Sequence, residues 1–163
     1  MDLRSKLMKF WGSFAIALIL AGFGLPSFVQ SQEKKITRAE LPAAVEKTVS
    51  EQSSSGMIRG FSKDIDNGKT VYEVDLRING HGKDISMDEH GNILEVEEEV
   101  TLDSLPAAVK EGLGKAAGTG VIGKVESLTK NGKLVAFEAV VKNGTKRQEI
   151  QVGPDGKKLA HPE

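Results

Sequence analysis

Apolar and charged residues alternate most regularly between residues 70 and 78. The apolar set is Tyr72, Val74, Leu76 and Ile78, and the charged set is Glu73, Asp75 and Arg77. Strict alternation of this kind is typical of a β-strand that buries one face and leaves the other in water. We therefore predict a strand here whose apolar side packs into a core.

A longer period precedes this segment. Leu41, Val45 and Val49 recur every four residues and give one apolar stripe along a helix that we expect to end near Gln52. Pro42 suits the first helical turn, where its missing N–H costs no hydrogen bond. Less regular alternation over residues 57–65 predicts a strand with a bulge.

The same order of features occurs a second time along the chain. Residues 41–45 and 105–109 both have the sequence Leu-Pro-Ala-Ala-Val. Further matches are Asn67-Gly68-Lys69 with Asn131-Gly132-Lys133, Tyr72-Glu73 with Phe137-Glu138, and Gly91 with Gly156. A repeat of this length is too long for a solenoid and suits a small duplicated domain.

Turn-forming residues separate strand-like segments in both copies. Asn67-Gly68 and Asn131-Gly132 favour type I′ hairpin turns, because both residues tolerate positive φ angles. The predicted fold class is α+β, with two tandem repeats, each one helix followed by a four-stranded antiparallel β-meander. The repeats would cover residues 32–99 and 100–163, and the pattern leaves open whether they share one sheet.

The first 31 residues have the features of a signal peptide. Arg4, Lys6 and Lys9 form a basic start, residues 14–23 are apolar, and residues 29–31 end in a small residue. The alternative is an uncleaved anchor, since residues 10–29 could reach across a bilayer. With cleavage after Ser31, the sequence predicts a periplasmic or secreted protein that does not stay in the membrane.

The composition excludes several classes of site. The chain has no cysteine, so it forms no disulfide, thiolate metal site or cysteine nucleophile. A formal net charge of −1 gives no indication of nucleic-acid binding. Its three histidines lack the spacing of metal ligands, and no serine lies in a nucleophile-elbow motif. We therefore predict no enzyme activity, no cofactor and no metal site.

Two acidic stretches are candidate cation sites. Residues 64–68 resemble the start of a calcium loop, but Lys69 stands where an EF-hand requires glycine. Glu95, Glu97, Glu98 and Glu99 cluster where the two copies join. A solvated strand face and linker is the favoured interpretation of that cluster, with a cation site as the alternative.

These motifs together resemble the PepSY-like family. They are Leu-Pro-x-x-Val opening a helix, Asn67-Gly68-Lys69, Tyr72-Glu73-Val74-Asp75 and a turn that ends in glycine. The family's extracytoplasmic domains are similar to the β-lactamase-inhibitor protein, a tandem of helix-plus-four-strand units. The resemblance covers nearly all of residues 36–163, with Phe137-Glu138-Ala139 as a departure in the second copy. Because related PepSY domains occur in peptidase propeptides, it suggests peptidase inhibition.

The predicted function is that of an exported, non-catalytic protein-binding module. Its partner would be another extracytoplasmic protein, and inhibition or regulation of an envelope or secreted enzyme such as a peptidase is the role that the resemblance suggests. The predicted binding residues are Glu73, Asp75, Arg77, Glu138 and Lys142. The alternative is an envelope protein that binds a small ligand or a cation.

The signal-peptide prediction can be tested by mass. Expressed with its own amino terminus in a bacterium, the mature protein should begin at Gln32 because signal peptidase reads the residues at 29–31. Intact-mass measurement of the exported fraction checks this. A full-length product that stays in the membrane fraction would support the uncleaved anchor instead.

Overall fold

The computed structural model describes residues 33–159 and 161–163. The predicted signal peptide, residues 1–31, lies outside them. The helices are α1 (Ala43–Gln52) and α2 (Ala107–Ala117), with short 3-10 helices at Arg38–Glu40 and Leu102–Ser104. The strands are β1 (Lys34–Ile36), β2 (Gly56–Asp66), β3 (Lys69–Ile78), β4 (His81–Asp88), β5 (Ile93–Val100), β6 (Val121–Lys130), β7 (Lys133–Asn143) and β8 (Lys146–Val152).

All eight strands form one antiparallel sheet, and each strand pairs with its neighbours in chain order, from β1 to β8. The predicted fold class of two tandem repeats, each one helix with a four-stranded meander, is therefore wrong. β5 pairs directly with β6, for example through Glu97 opposite Leu128. The sheet therefore has no break between the predicted repeats. The pairing follows from the need to satisfy the backbone groups on the free edge of β5.

The strand count after α2 also differs from the prediction. In the part of the chain that the structure describes, three strands follow this helix, β6, β7 and β8, whereas four strands follow α1. Where a fourth strand was expected, the chain makes a single isolated bridge between Val152 and Lys158. Alternating apolar residues are too few at this end of the sequence to give a strand. The predicted boundary between residues 99 and 100 stays a prediction.

Several local predictions are confirmed. α1 ends at Gln52, and Val45 and Val49 on its predicted stripe are fully buried. β2 has the predicted bulge, between Ile58 and Gly60. Asn67 and Asn131 have φ angles of 48° and 49° in the predicted hairpin turns. Among the described residues, every helix is too short or too polar to cross a membrane.

Both helices cover the same face of the sheet. The cluster beneath α1 contains Val45, Val49, Val74, Leu76, Ile85 and Met87. The cluster beneath α2 contains Leu105, Val109, Leu113, Val125, Phe137, Ala139 and Val152. Val96 packs against the first cluster and Val100 against the second. Because these residues are four apart on β5, they point to one side, and the opposite side carries no helix among the described residues.

Each helix is held against a turn by a glycine. Gly91, between β4 and β5, has φ 76°, and a Cβ there would lie 2.5 Å from the carbonyl oxygen of Ala44 in α1. The Thr48 hydroxyl also donates a hydrogen bond of 2.8 Å to the carbonyl of Gly91. Gly156 has φ 77°, and a Cβ there would lie 2.0 Å from the carbonyl oxygen of Ala108 in α2. A side chain at either position would push the turn away from its helix.

We expect Gly156→Ala to destabilise the protein by about 3 kcal/mol or more, because the methyl group overlaps the Ala108 carbonyl and the left-handed φ is unfavourable. Gly132→Ala is the matched control. Its φ of 76° is nearly the same, but a Cβ there would meet no atom within 4 Å. The control should lose only about 1–2 kcal/mol. Urea unfolding measures both, and equal losses would contradict the packing role.

Candidate functional site

The face of the sheet opposite the helices carries an unusual number of carboxyl groups, and we call it the acidic face. The register places eight of them there: Glu73, Asp75, Asp84, Glu95, Glu97, Glu99, Glu126 and Glu138. Cations of the described residues contact members of this set. Arg59 Nε lies 3.8 Å from Asp75 Oδ2, Lys130 Nζ lies 3.6 Å from Glu95 Oε2, and Lys124 contacts Glu126.

Carboxyl groups stand directly opposite one another on neighbouring strands. Asp75 on β3 pairs with Asp84 on β4, which in turn pairs with Glu97 on β5. A second row runs through Glu126 on β6, flanked by Glu99 and Glu138. Like charges in such positions destabilise a sheet when both are ionised. The face must therefore be neutralised by protons or by cations.

The carboxyl groups at the middle of the face are shielded from water. Glu126 is only 6% exposed, and the apolar residues Leu128 and Ala136 are buried on the same face. Leu128 lies directly opposite Glu97, and Ala136 lies directly opposite Leu128. These apolar neighbours exclude water from Glu97. Desolvation is therefore the largest contribution to the shift of its pKa.

Burial raises the pKa of Glu97 to about 9, and the charges of Glu126 and Glu95 add to the shift. Burial likewise raises the pKa of Glu73 to about 8, and the charge of Asp84 adds to that shift. Burial also raises the pKa of Asp84 to about 7, and the charge of Asp75 adds to it. At neutral pH Glu97 and Glu73 therefore hold protons in the folded protein, and Asp84 is near its midpoint.

Neighbouring carboxyl groups share these protons. Burial raises the pKa of Asp75, although the hydrogen bond that its carboxylate accepts from Asp84 opposes the shift. Burial also raises the pKa of Glu95, which is opposed by Lys130 and by a hydrogen bond from Glu97. At the edge of the face, Gln151 Nε2 donates a 2.7 Å hydrogen bond to Glu138 Oε2.

One group of three carboxylates has the spacing of a cation site. Asp84, Glu97 and Glu126 each offer one oxygen, and the three oxygens lie within 4.8 Å of one another. Lys124 Nζ lies 2.5 Å from Glu126 Oε1. Burial lowers the pKa of Lys124, but its interactions with Glu126, Asp84 and Glu97 outweigh burial and raise it overall. An ammonium group thus supplies positive charge to the same three carboxylates.

The five predicted binding residues all lie on the acidic face, but they do not form one cluster. Glu73, Asp75 and Arg77 are neighbours on β3, whereas Glu138 and Lys142 lie on β7. Since three strands separate β3 from β7, the two groups are about 19 Å apart. Arg77 and Lys142 are exposed, while Glu73, Asp75 and Glu138 are partly buried rather than fully solvated.

Sequence reasoning missed the residues between these two groups. No sequence pattern indicates Asp84 or Glu126, and the sequence groups Glu97 with Glu95, Glu98 and Glu99 where the two copies join. The structure separates that cluster, because Glu98 pairs with Lys83 at 3.5 Å on the other side of β5. Asp84 alternates with buried Ile85, which could have placed it on the polar face. The shifted pKa values were not foreseen.

Raised pKa values alone do not make a catalytic site, since acid–base catalysis also needs a place for a substrate. The best-formed depressions in the described part of the chain include two shallow ones. One is lined by Gly112 and Gly156, and the other by Lys34, Ile65 and Tyr72. Neither includes any of the eight carboxyl groups, so these two depressions do not place a substrate beside the groups with raised pKa values.

No family model matches the chain, and no curated protein matches it either. Solved structures are similar to it. A protein of Bacteroides eggerthii, provisionally described as periplasmic, is 18% identical with a TM-score of 0.61, covering 73% of this chain and 86% of that one. A BLIP-like protein of Bacteroides fragilis is 21% identical with a TM-score of 0.55, covering 73% and 83%. A DUF2874 family protein of Bacteroides ovatus is 18% identical with a TM-score of 0.57, covering 73% and 84%.

These similarities establish a BLIP-like fold, and at such low identity they establish the fold alone. The more specific PepSY-like assignment stays a prediction.

The shifted pKa of Glu97 predicts how stability depends on pH. Between about pH 4.5 and pH 9 the folded protein holds a proton on Glu97 that the unfolded chain releases, so the free energy of unfolding should fall as pH rises through this window. Glu97→Gln keeps the shape and a hydrogen-bond donor but cannot ionise. Each pH unit of the window changes the free energy of unfolding by about 1.4 kcal/mol, so we expect the variant to be about 5 kcal/mol more stable than the unsubstituted protein at pH 9, and within about 1 kcal/mol of it at pH 5.

Urea unfolding at both pH values checks this prediction. Glu89→Gln, at an exposed position in the turn after β4, is the control and should leave the slope unchanged. A slope that is the same in the Glu97→Gln variant would show that Glu97 is ionised in the folded state.

Proposed function

We propose that this is an exported, non-catalytic protein that binds another extracytoplasmic protein on its acidic face. The observation that carries the proposal is the one-sided architecture. Both helices and both apolar clusters lie on one side of the sheet, and the described chain leaves the other side without a covering element.

The size of the acidic face fits a protein partner. Eight strands spaced about 4.8 Å apart and about seven residues long give roughly 900 Å² of flat area. A standard protein interface needs about 800 Å² from each partner. A small molecule would instead require a concave pocket that encloses most of its surface.

The extracytoplasmic location is supported from two sides. The basic and apolar amino-terminal segment has the order of a signal peptide. One solved structure with the same fold carries a provisional description as periplasmic.

Inhibition or regulation of an envelope or secreted enzyme, such as a peptidase, is the role that we propose for this binding. Its support is the BLIP-like fold together with the resemblance to PepSY-like domains. Because one fold carries many functions, the partner has to be identified by experiment.

A cation-binding protein is the second candidate, and the cluster of Asp84, Glu97 and Glu126 favours it. Lys124 argues against it, because a bound cation would be repelled by the ammonium group beside Glu126. A calcium titration followed by calorimetry separates the candidates, since the cation hypothesis requires saturable binding by the protein alone.

Photo-crosslinking tests the proposed surface. A photoreactive amino acid placed at position 77 or 142 on the acidic face should crosslink the partner in living cells. The same amino acid at position 47 or 115, exposed on α1 and α2, should not, because the helices lie on the other side of the sheet. Equal crosslinking from the helix positions would contradict the proposed face.

Once the partner is identified, charge reversal measures the contribution of the exposed cations. Arg77→Glu with Lys142→Glu makes the acidic face more negative and should change the affinity about tenfold, with the sign set by the charge of the partner, while the thermal midpoint barely moves, since both side chains are exposed. Lys47→Glu with Lys115→Glu changes the net charge equally and should leave the affinity unchanged. Titration calorimetry and thermal unfolding give the two readings.

A further inference from the structure

The last strand of the sheet has an open outer edge. β8 pairs with β7 on one side, and on its other side the described part of the chain makes one isolated bridge, between Val152 and Lys158. Beyond this bridge the chain returns to the acidic face, where the backbone N–H of Glu163 donates a 2.8 Å hydrogen bond to the Gln151 side chain. The open edge of β8 is therefore residues 146–150, between the β7–β8 turn and the bridge.

Backbone groups of this open edge point away from the sheet. On the outer side of β8 the N–H of Gly153 donates a 2.8 Å hydrogen bond to the carbonyl of Lys157. Backbone groups of an antiparallel strand alternate in direction from one residue to the next, and the β7–β8 ladder has no bulge that would break this alternation. The N–H and C=O groups of Arg147 and Glu149 therefore point outward.

The side chains of the open edge alternate between the two faces of the sheet. Arg147 and Glu149 lie on the acidic face, where Arg147 Nη2 is 3.4 Å from Glu149 Oε1. Lys146, Gln148 and Ile150 point to the other side, and of the whole set only Ile150 is partly buried. An edge strand that is regularly paired on one side and contains no proline can accept a second strand on the other.

We propose that the open edge of β8 pairs with the same edge of a second copy of this chain, antiparallel and about a two-fold axis at Gln148. The pairing joins two eight-stranded sheets edge to edge. Because both copies use the same edge, the association closes at a dimer. The axis is perpendicular to the sheet, so the acidic faces of both copies lie on one side of the joined sheet.

The position of the axis follows from the limits of the open edge. Residues 146–150 are bounded by the β7–β8 turn at one end and by the bridge to Lys158 at the other. Two antiparallel copies of this edge overlap completely only when Gln148 lies opposite Gln148 of the second copy. In that register Arg147 lies opposite Glu149, and these are the residues whose backbone groups point outward to form hydrogen bonds.

Charge favours the same register. Opposite charges directly across two strands stabilise their pairing, and like charges in these positions destabilise it. An axis at Arg147 would place two guanidinium groups opposite each other, and an axis at Glu149 would do the same with two carboxylates. With the axis at Gln148, each Arg147 has Glu149 of its own strand and Glu149 of the second copy as neighbours.

This inference concerns the edge of the sheet and goes beyond the proposed function, which concerns the acidic face. Neither depends on the other. A dimer would nevertheless present two acidic faces side by side, so a partner with two binding segments would be held more tightly than by one copy.

Sedimentation velocity of the exported protein measures the association. Because residues 146–150 give an interface at the small end of the known range, we expect a monomer–dimer equilibrium with a Kd on the order of 100 µM. Arg147→Glu brings like charges opposite each other and should weaken the dimer at least about tenfold, and Glu149→Arg should do the same. Combining the two substitutions restores opposite charges and should return the Kd to within about threefold of the original value.

Lys47→Glu is the control for the change in net charge. Lys47 is exposed on α1, away from β8, so this variant should keep the original Kd. Thermal unfolding of each variant shows that it is folded, and Arg147 and Glu149 are exposed enough that the monomer should not depend on them.

A disulfide tests the register directly, since the chain contains no cysteine of its own. Under mild oxidation Gln148→Cys should form a covalent dimer, because residues at a two-fold axis in this register have Cα atoms about 4.5 Å apart, within the range of a disulfide. Lys146→Cys lies on the same side of the same strand and is the matched control. Its two thiols would be more than about 13 Å apart, so it should stay monomeric.

Four results would overturn the proposal. They are a protein that stays monomeric up to about 1 mM, a combined charge variant as weak as the single ones, equal disulfide formation at positions 146 and 148, and a mass that continues to rise beyond the dimer. Concentration-dependent dimers together with charge rescue and a disulfide at position 148 alone would support it.

Discussion

Docking of both helices against the same side of the sheet is the constraint on which the rest of the structure depends. It requires two turns to approach helix backbone so closely that only glycine fits, Gly91 against Ala44 and Gly156 against Ala108. Both glycines also have positive φ angles, which other residues adopt at a cost. With the helices fixed in this way, every apolar strand residue of the two clusters finds its partner on one side, and the polar residues must collect on the other.

Docking of both helices on one side of the sheet also has an electrostatic consequence for the other side. A sheet of eight strands is wide enough that residues at its middle are shielded even without a covering helix, as the burial of Leu128 and Ala136 shows. Carboxyl groups placed there by alternation lose water and face one another at short range. Their pKa values rise for that reason, so the side that looks like a solvated face in sequence is in part a protonated, hydrogen-bonded layer.

Local structure could be predicted from sequence because its causes are local. The Leu-Pro openings of α1 and α2, the Asn-Gly turns and the alternation in β3 each depend on residues close together in the chain. The pairing of β5 with β6 could not be predicted, because it depends on which free strand edges meet after the helices dock. The meeting of Asp84, Glu97 and Glu126 could not be predicted either, since it requires the register of three strands at once. Alternation along single strands predicts that Glu73, Glu138 and the other proposed binding residues point outward, but it does not indicate the carboxyl groups that meet between them, and their role in binding stays a prediction.

The group formed by Asp84, Glu97 and Glu126 is hard to explain as a contribution to stability. Replacing buried ionisable groups by apolar ones of similar volume is often neutral or stabilising, so such groups are weak evidence of a structural role. The two apolar clusters already hold both helices against the sheet without the help of Glu97 or Glu126. Opposed carboxyl groups therefore destabilise the fold as pH rises, and the packing of the two apolar clusters does not depend on them. What these opposed carboxyl groups do provide is a surface whose charge changes with pH, since burial raises the pKa of Asp84 to about 7 and that of Glu97 to about 9.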